Sequence, residues 1–456
     1  EAAVAHYQAT GKRTLLDVMV RYADYIDSVF GDAPGKRPGT CGHEEIELAL
    51  VKLYHAAGEE RYLRLSEFFL NQRGQKPSVF APEFPAGQAV DTSYCQDHAP
   101  VREQSEVVGH AVRAMYLYSG MADVAGETGD AELLAACERL WQHVTLTRMY
   151  VTGGIGSTRQ NEGFTTDYDL PNDTAYCETC AAIGLVFWAQ RMLQFDADSR
   201  YADVMERALY NGVMSGISLD GRRFFYVNPL ESAGAHHRQE WFGCACCPPN
   251  VMRLLASLGG YLYSQTTSDA YVHLYAQGEG QLTVAGREVT LRQETQYPWD
   301  GLVRLTVTPA SPAHFGLNLR LPAWCRSATL TLDGEPVDLA ANTRQGYVRL
   351  AREWTGNEVV ELSLPMPVER VYAHPAVKED AGLVALQRGP MVYCLEAADN
   401  AVPLHRVLLP REAPQVPGLE IAIRVPPARE ISGDLYDFFR QPREGTMIAM
   451  GDVSGK

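Results

Sequence analysis

The hydrophobic period of this chain changes once, near Tyr263, and that change limits the folds open to it. Before this point, apolar residues recur at helical spacing, which indicates amphipathic helices. After it, short stretches alternate apolar and polar residues between Gly, Asp or Pro, which indicates β-strands. We therefore expect a multidomain α plus β protein, with a helical half followed by antiparallel β-sandwich domains.

The helical half consists of segments paired through tight turns. The stretches YHAAGEERYLRLSEFFL, VAGETGDAELLAACERLW and QFDADSRYADVMERALY each place a Gly- or Asp-rich turn between two helical patterns. This arrangement predicts αα-hairpins, the unit of bundles, solenoids and α/α toroids. The predicted helices are 15–30, 46–54, 107–118, 133–141, 182–193, 201–213 and 251–263.

The strand pattern sets the expected domain boundaries. The predicted strands lie within 270–277, 281–286, 288–293, 303–309, 315–322, 328–334, 346–351 and 359–365, and a further β unit starts at residue 382. We expect a helical domain over residues 1–266, a β-sandwich over 267–367 and a second β domain over 368–456.

Charge and hydropathy exclude several classes of partner. The net charge of −16 and the pI near 5.2 argue against a nucleic-acid backbone or an anionic membrane as partner. No apolar run approaches the roughly 20 residues that span a bilayer. The first residues, EAAVAHYQAT, lack the basic start and apolar core of a signal peptide. A cytoplasmic location is therefore expected.

Five of the ten cysteines lie in two clusters, CETC at residues 177–180 and CACC at 244–247. In a chain without secretory features, such clusters indicate metal binding or catalysis rather than disulfides. Spacing alone favours Cys177 and Cys180 as one half of a zinc site, completed from the second cluster. A competing set uses Glu178 with Cys180, which requires both residues to lie on extended chain. A purely structural zinc is a further alternative.

Two loop features add candidate chemistry. The glycine-rich stretch 150–157 follows a helix and lacks the lysine of a phosphate-binding loop, so nucleotide binding is disfavoured. It leads to Glu162, a loop carboxylate. Asn250 is a plausible N-cap for the next helix, which would place Cys246 and Cys247 just ahead of its N-terminus. The helix dipole favours a thiolate there, and a thiolate beside a carboxylic acid forms a nucleophile and acid pair.

Several long motifs together resemble the β-L-arabinofuranosidases of glycoside hydrolase family 127. They are GGIGS with NEGF, LPNDTAYCETCA, YNGVMSGISLDGRRFFYVNPL and CACCPPNVMRLLASLGGYLY, with GHEE and VVGHAVR in support. The resemblance implies an (α/α)6 barrel followed by two β-sandwich domains. Compared with the family, the sequence is expected to begin within the barrel and to stop within the last β domain.

The resemblance also implies a mechanism and a set of site residues. It implies a retaining exo-glycosidase in which Cys246 is the nucleophile and Glu162 the general acid/base. The implied zinc ligands are Glu178, Cys180, Cys246 and Cys247, which selects the carboxylate-containing set and makes Cys177 and Cys244 bystanders. The implied sugar-lining residues are His43, His110 and Tyr226. The expected substrate is a small oligosaccharide or glycan carrying β-linked L-arabinofuranose or a close analogue, and a homodimer is an open possibility.

Two other function classes compete with this interpretation. One is a zinc-stabilised carbohydrate-binding or scaffold protein without turnover, which would have no need of an acid such as Glu162. The other is a thiol oxidoreductase that uses Cys177 and Cys180, but the thioredoxin-like βαβ setting is absent from the sequence.

Overall fold

Contacts between residues divide the chain into two units. The first comprises Glu1–Tyr150, Gly154–Phe195 and Val227–Ala233, and the second comprises Val151–Gly153, Asp196–Tyr226 and Gly234–Lys456. The structure is a computed structural model that describes residues 1–83, 91–396, 404, 407, 409, 436–438 and 449–451.

The first unit is helical, as the sequence predicts. Its helices are α1 (Ala2–Thr10), α2 (Thr14–Val29), α3 (Ile46–Ala57), α4 (Glu60–Gln72), α5 (Ala111–Thr128), α6 (Ala131–His143) and α7 (Thr179–Asp196). The α3–α4 and α5–α6 pairs confirm two of the three predicted αα-hairpins. In the second pair, Gly129 ends α5 with a φ of 72° and Asp130 caps α6 by accepting from the Leu133 backbone N–H.

The inward faces of α1 to α4 form a common core. Its buried members are Val4, Leu16, Ala23, Leu50, Leu53, Tyr62, Leu65, Phe68 and Phe69. The tyrosine is fully buried and satisfies its hydroxyl by donating to Asp24 over 2.7 Å. The core therefore fixes α2 and α3, whose connection carries the candidate residue His43.

Between α6 and α7 the chain forms a five-residue π-helix, Val144–Arg148, and then runs as irregular loop. Isolated backbone bridges hold this loop within the first unit. They pair Met149 with Ile155, His110 with Gly163, and Glu178 with Val227. A long loop that is held by such bridges can pair its backbone N–H and C=O groups without forming a regular sheet.

The second unit contains a β-sandwich and several helices. The helical parts are α8 (Ser199–Ala208), a π-helix at Leu209–Val213, a 3-10 turn at Met214–Gly216, α9 (Cys247–Ser257), α10 (Gly259–Leu262) and α11 (Leu339–Asn342). The strands of the sandwich lie in two sheets, one of five strands and the other of six. Buried side chains from both sheets, among them Val272, Leu291, Phe315 and Trp354, share one core.

The strands of the sandwich follow the predicted segments. They are β1 (Tyr263–Gln265), β2 (Asp269–Val272), β3 (Gly278–Val284), β4 (Arg287–Thr295), β5 (Leu302–Pro309), β6 (Ala313–Arg320), β7 (Thr329–Leu332), β8 (Glu335–Pro336), β9 (Thr343–Arg344), β10 (Tyr347–Trp354) and β11 (Glu358–Ser363). One sheet has the order β1-β2-β6-β10-β9 and the other has β3-β4-β5-β11-β7-β8. The expectation of a wholly antiparallel sandwich is wrong at one pair, because β2 runs parallel to β6, with Asp269 opposite Gly316. Three strands of the other sheet separate these two in sequence, so no hairpin turn dictates their direction.

Beyond the sandwich, β12 (Val368–Val371), β13 (Ala385–Arg388) and β14 (Met391–Tyr393) form a three-stranded antiparallel sheet, and β15 (Tyr436–Phe438) pairs with β16 (Ala449–Gly451). Much of the predicted second β domain lies outside the described residues. The boundaries expected at residues 266 and 367 stay predictions. No helix among the described residues is both long and apolar enough to cross a membrane.

A buried charge cluster ties α8 to β6 within the second unit. Arg320 is fully buried and forms ion pairs with Asp203, at 2.6 Å, and with Glu206. Glu206 also accepts from the Tyr297 hydroxyl at 2.5 Å and from the Trp324 indole N–H at 3.2 Å. This arrangement satisfies the carboxylate within the protein and links a helix from the helical half of the sequence to the sandwich.

We expect Arg320→Met to destabilise the second unit, because it leaves two carboxylates without their guanidinium. Breaking a buried pair in this way lowers the free energy of unfolding by about 3–5 kcal/mol. The matched control is Arg304→Met, since Arg304 pairs with Glu361 at the surface and such pairs contribute at most about 1 kcal/mol. The free energies of unfolding of both variants can be measured by urea unfolding monitored through tryptophan fluorescence. Equal losses of stability in the two variants would contradict the structural role assigned to Arg320.

Candidate active site

Glu162 and His110 form the centre of the polar site in the first unit. The Glu162 Oε2 lies 2.8 Å from the His110 Nε2. The histidine side chain is 8% exposed, whereas that of the glutamate is 38% exposed. One oxygen of the Glu162 carboxylate is therefore hydrogen-bonded to the buried His110, while the side chain stays partly exposed to solvent.

A close backbone contact positions Glu162. The Ala111 N–H donates to the Glu162 carbonyl at 3.1 Å, and the Phe164 N–H donates to the Gly109 carbonyl at 2.9 Å. A Cβ at Gly163 would lie 1.5 Å from the Gly109 carbonyl oxygen, so only glycine fits. Glu162 itself has a φ of 53°, an unusual value for a residue other than glycine and typical of strained functional positions.

His110 caps α5, and its burial together with a nearby cation favours its neutral form. Its Nδ1 accepts from the Arg113 backbone N–H at 3.4 Å. The Tyr94 ring packs edge-on against it at 5.3 Å, and the Arg113 guanidinium lies over that ring at 4.7 Å. Burial, followed by the nearby Arg113 charge, lowers the pKa of His110 to about 4, although the Glu162 carboxylate acts in the opposite direction.

Glu178 and Cys180 lie at the junction between extended chain and α7. Both side chains are buried, and their ligand atoms lie within 4.8 Å of each other. Glu178 pairs with Val227 in a backbone bridge, as the extended-chain prediction requires, but that prediction is wrong for Cys180, because α7 begins at Thr179. The change of direction at the helix start, rather than a continuous strand, brings the two side chains together.

The Glu178 carboxylate also belongs to the polar centre of the first unit. Ligand atoms of Glu178, His110 and Glu162 all lie within 4.8 Å of one another. Cys177 belongs to neither group of potential metal ligands in the described part of the chain. Its thiol is buried with no charged partner, and burial alone raises its pKa. The half-site that spacing favours, Cys177 with Cys180, has no support in this arrangement.

In the second unit, Cys246 and Cys247 lie at the N-terminus of α9. Their sulfurs are 3.7 Å apart, and the Cys246 Sγ lies 3.4 Å from the Tyr226 hydroxyl oxygen. The predicted N-cap at Asn250 is wrong, because Cys246 is the N-cap and the helix begins at Cys247. The two prolines that follow are tolerated in the first turn, where their missing N–H groups have no helical acceptor.

Cys244 differs from its two neighbours. It is exposed, and the charge of Cys246, with some burial, raises its pKa. Cys247 is fully buried and Cys246 half-buried. Both units thus contain donors of the kind that bind metal ions, the buried Glu178 and Cys180 in the first and the half-buried Cys246 and buried Cys247 in the second.

His43 lies in the first unit beside a buried ion cluster that sequence reasoning did not identify. Arg73 pairs with Glu44 at 2.7 Å and with Glu47 at 3.5 Å, and all three side chains are fully buried. Arg73 also donates to the Cys95 carbonyl at 2.5 Å, which joins the His43 loop to the segment of Tyr94. Burial raises the pKa of Glu44 to about 8.

Two residues around His110 also escaped the sequence analysis. Arg113 lies at i+3 from His110, a spacing that places both on one helix face and could have indicated the contact. Tyr94 lies sixteen residues earlier on irregular chain, and no local pattern connects it with the histidine. The ring of His43 packs 6.1 Å from that of Tyr116. Both predicted sugar-lining histidines, His43 and His110, lie in the first unit.

Comparison with protein families gives three matches in chain order. The model described as "Beta-L-arabinofuranosidase, GH127 catalytic domain" matches residues 1–260. The GH127 middle-domain model matches residues 269–366, and the family's C-terminal-domain model matches residues 368–434.

Individual relatives agree with the family matches. The chain is 42% identical to a non-reducing end β-L-arabinofuranosidase of Bifidobacterium longum, over 88% of this chain and 64% of that protein. A crystal structure of a GH127 β-L-arabinofuranosidase from Geobacillus stearothermophilus T6 superposes with a TM-score of 0.89 and 47% identity, over 99% of this chain and 76% of that one. A second solved GH127 β-arabinofuranosidase has a TM-score of 0.86 and 38% identity, over 99% of this chain and 72% of that one.

The chain thus spans slightly less than two thirds of the length of its curated relative, and three quarters of the first solved one. The catalytic-domain match alone covers more than half of the chain, and the motifs that carry the resemblance lie within it. On this evidence the chain belongs to glycoside hydrolase family 127.

Proposed function

We propose that this chain is a retaining exo-glycosidase that releases β-linked L-arabinofuranose, or a close furanose analogue, through a cysteine thioglycosyl intermediate beside a zinc ion. The observation that carries the proposal is Glu162, a half-exposed carboxylate held by His110 next to the potential metal ligand Glu178. A binding module would have no need of such an acid. The names of the relatives support the sugar and its position at a non-reducing end.

The proposal includes the family fold, an (α/α)6 barrel that carries the active site. The αα-hairpins of the first unit are the expected building blocks of such a barrel. His43, His110 and Tyr226 would line the sugar pocket.

The chemistry assigned to this chain's residues proceeds in two displacements at the anomeric carbon. First, the Cys246 thiolate attacks that carbon while Glu162 gives its proton to the leaving oxygen, which keeps the electron pair of the broken C–O bond. Glu162 then takes a proton from water, whose oxygen attacks the same carbon, and the thiolate leaves with the C–S electron pair. Two inversions retain the configuration.

The residues proposed to hold zinc are Glu178, Cys180, Cys246 and Cys247. Three thiols and one carboxylate suit a tetrahedral zinc site. The 3.7 Å between the Cys246 and Cys247 sulfurs also fits, since two ligands with Zn–S bonds of about 2.3 Å at a tetrahedral angle lie about 3.8 Å apart. When bound, zinc would keep the thiols deprotonated near neutral pH.

We expect one zinc per chain, lost when a ligand from either unit is removed. Cys180→Ser in the first unit and Cys247→Ser in the second should each reduce the zinc content measured by elemental analysis. Cys177→Ser is the matched control, because Cys177 is equally buried but belongs to no group of potential ligands. Zinc lost in Cys177→Ser as well as in Cys180→Ser would favour the alternative half-site of Cys177 with Cys180.

Glu162→Ala should slow hydrolysis most for substrates with poor leaving groups, because the leaving oxygen of these substrates must be protonated as the C–O bond breaks. We expect a loss of about 10²–10⁴-fold on alkyl glycosides and a smaller loss on activated aryl glycosides. Azide should restore turnover of the aryl substrates by replacing water in the second displacement. Glu132→Ala, an exposed glutamate on α6, serves as the control. Equal losses on both substrate types without azide rescue would contradict the acid/base role.

The third prediction separates the clustered cysteines. Cys246→Ser should fold and lose nearly all turnover, because no base is placed to ionise a serine hydroxyl. Cys247→Ser should fail through metal loss, and Cys244→Ser should keep substantial activity because Cys244 is exposed. A haloacetamide derivative of arabinofuranose should label Cys246, as located by fragmentation mass spectrometry. An adduct on Cys244, on Cys247 or on a carboxylate would overturn the assignment.

A further inference from the structure

We propose that His110 is a positioning residue whose fixed tautomer confines the catalytic proton of Glu162 to Oε1. The inference deepens the proposed function and rests on it, because it concerns the proton that Glu162 gives to the leaving group. It is carried by the hydrogen bonds at the two ring nitrogens of His110.

The first step concerns the Nδ1. It lies 3.4 Å from the backbone nitrogen of Arg113, in the N-cap arrangement of α5. A backbone N–H can only donate, so the Nδ1 must accept and carries no proton. The helix backbone fixes this donor, because Arg113 is the third residue of α5 and its N–H has no acceptor within the helix.

The second step concerns the Nε2. A neutral imidazole carries one proton, and with Nδ1 bare that proton is on Nε2. The Nε2–H therefore donates to the Glu162 Oε2, 2.8 Å away. A proton on that same oxygen would point at another N–H. When Glu162 is protonated, its proton must lie on Oε1.

The surroundings of His110 oppose protonation of its Nδ1, which would break the hydrogen bond from the Arg113 backbone N–H. The ring is buried, and the cationic Arg113 lies on the same helix turn, with its guanidinium stacked over Tyr94. A charge on His43 would act in the same direction. Glu162 favours the protonated ring, but burial and Arg113 outweigh it and lower the pKa of His110 to about 4.

The hydrogen bond from His110 favours the transfer of the proton from Glu162 to the leaving group. The Nε2–H bond to a neutral acid becomes a charge-assisted bond when Glu162 loses its proton, and such bonds are roughly twice as strong. The gain appears as the proton leaves for the glycosidic oxygen, so it favours the step that poor leaving groups need most. Because the same bond occupies Oε2, Oε1 is the oxygen left to carry the proton to the leaving group.

Two substitutions at His110 test this role. In His110→Gln the side-chain amide N–H can replace the Nε2–H, whereas in His110→Asn it reaches only as far as the Nδ1. We expect His110→Asn to lower kcat on alkyl glycosides by about 10- to 100-fold, the range for a hydrogen bond to a charged group, with a smaller loss on activated aryl glycosides. His110→Gln should recover most of that loss. If His110 only contacted the sugar, both variants would raise KM without dependence on the leaving group.

His143 provides a matched control within the first unit. Its Nδ1 accepts from the Val107 backbone N–H at 3.1 Å, and its Nε2 lies 3.1 Å from Asp167. It therefore has the same pattern of partners around a different carboxylate. His143→Gln and His143→Asn should leave the dependence on the leaving group unchanged.

A readout independent of activity is the ¹⁵N spectrum of protein labelled at histidine, with His110 assigned from the His110→Gln difference. The proposal expects a protonated Nε2 and a bare Nδ1 at neutral pH. A protonated Nδ1, or a Gln variant no better than the Asn variant in an active protein, would overturn it. A wild-type protein that binds zinc but cleaves no β-L-arabinofuranoside would instead refute the proposed function, while the ¹⁵N spectrum would still decide the tautomer.

Discussion

The backbone of residues 109–111 lies directly against that of residues 162–164, and the polar centre of the first unit depends on this contact. A side chain at Gly163 would occupy the space of the Gly109 carbonyl, so the approach is possible only for glycine. Two backbone hydrogen bonds hold the two segments together. Because the loop is fixed at this point, Glu162 faces a buried histidine and reaches solvent at the same time. The loop thus gains the geometric precision that a helix or a strand would otherwise supply.

The second unit places its reactive groups by a different constraint. Cys246 and Cys247 lie at the N-terminus of α9, where N–H groups without a helical acceptor and the helix dipole favour negative charge on sulfur. The charged residues of α8 are used structurally, since Asp203 and Glu206 neutralise the buried Arg320. The carboxylates that pair with buried groups in this chain therefore fall into two sets. Those near Arg320 and Arg73 are paired with guanidinium, whereas Glu162 and Glu178 lie beside a neutral imidazole and one another.

Local pattern predicted most of the secondary structure, and its errors have identifiable causes. The helix pairs and the sandwich strands follow from period and turn residues, which are properties of neighbouring positions. The start of α9 was misplaced because the proline pair resembles a helix stop, although prolines suit a first turn. Cys180 was expected on extended chain because Glu178 and Cys180 are two residues apart, a spacing that does not reveal a strand-to-helix junction. The parallel β2–β6 pair joins segments distant in sequence, and no hairpin signal exists for it.

The sequence by itself determined which residues are candidates for the chemistry. The sequence alone identifies the thiol clusters, the NEGF and CCPPN motifs and the order of helical and strand segments, because these features depend on residue type and short spacing. The tertiary structure decided how those residues are arranged. It assigned the roles of the two ring nitrogens of His110 through a helix N–H on one side and a loop carboxylate on the other. It also excluded Cys177 from the ligand groups of the described residues. The physical reason is that hydrogen-bond direction and close backbone approach depend on segments far apart in sequence, which meet only when the chain is folded.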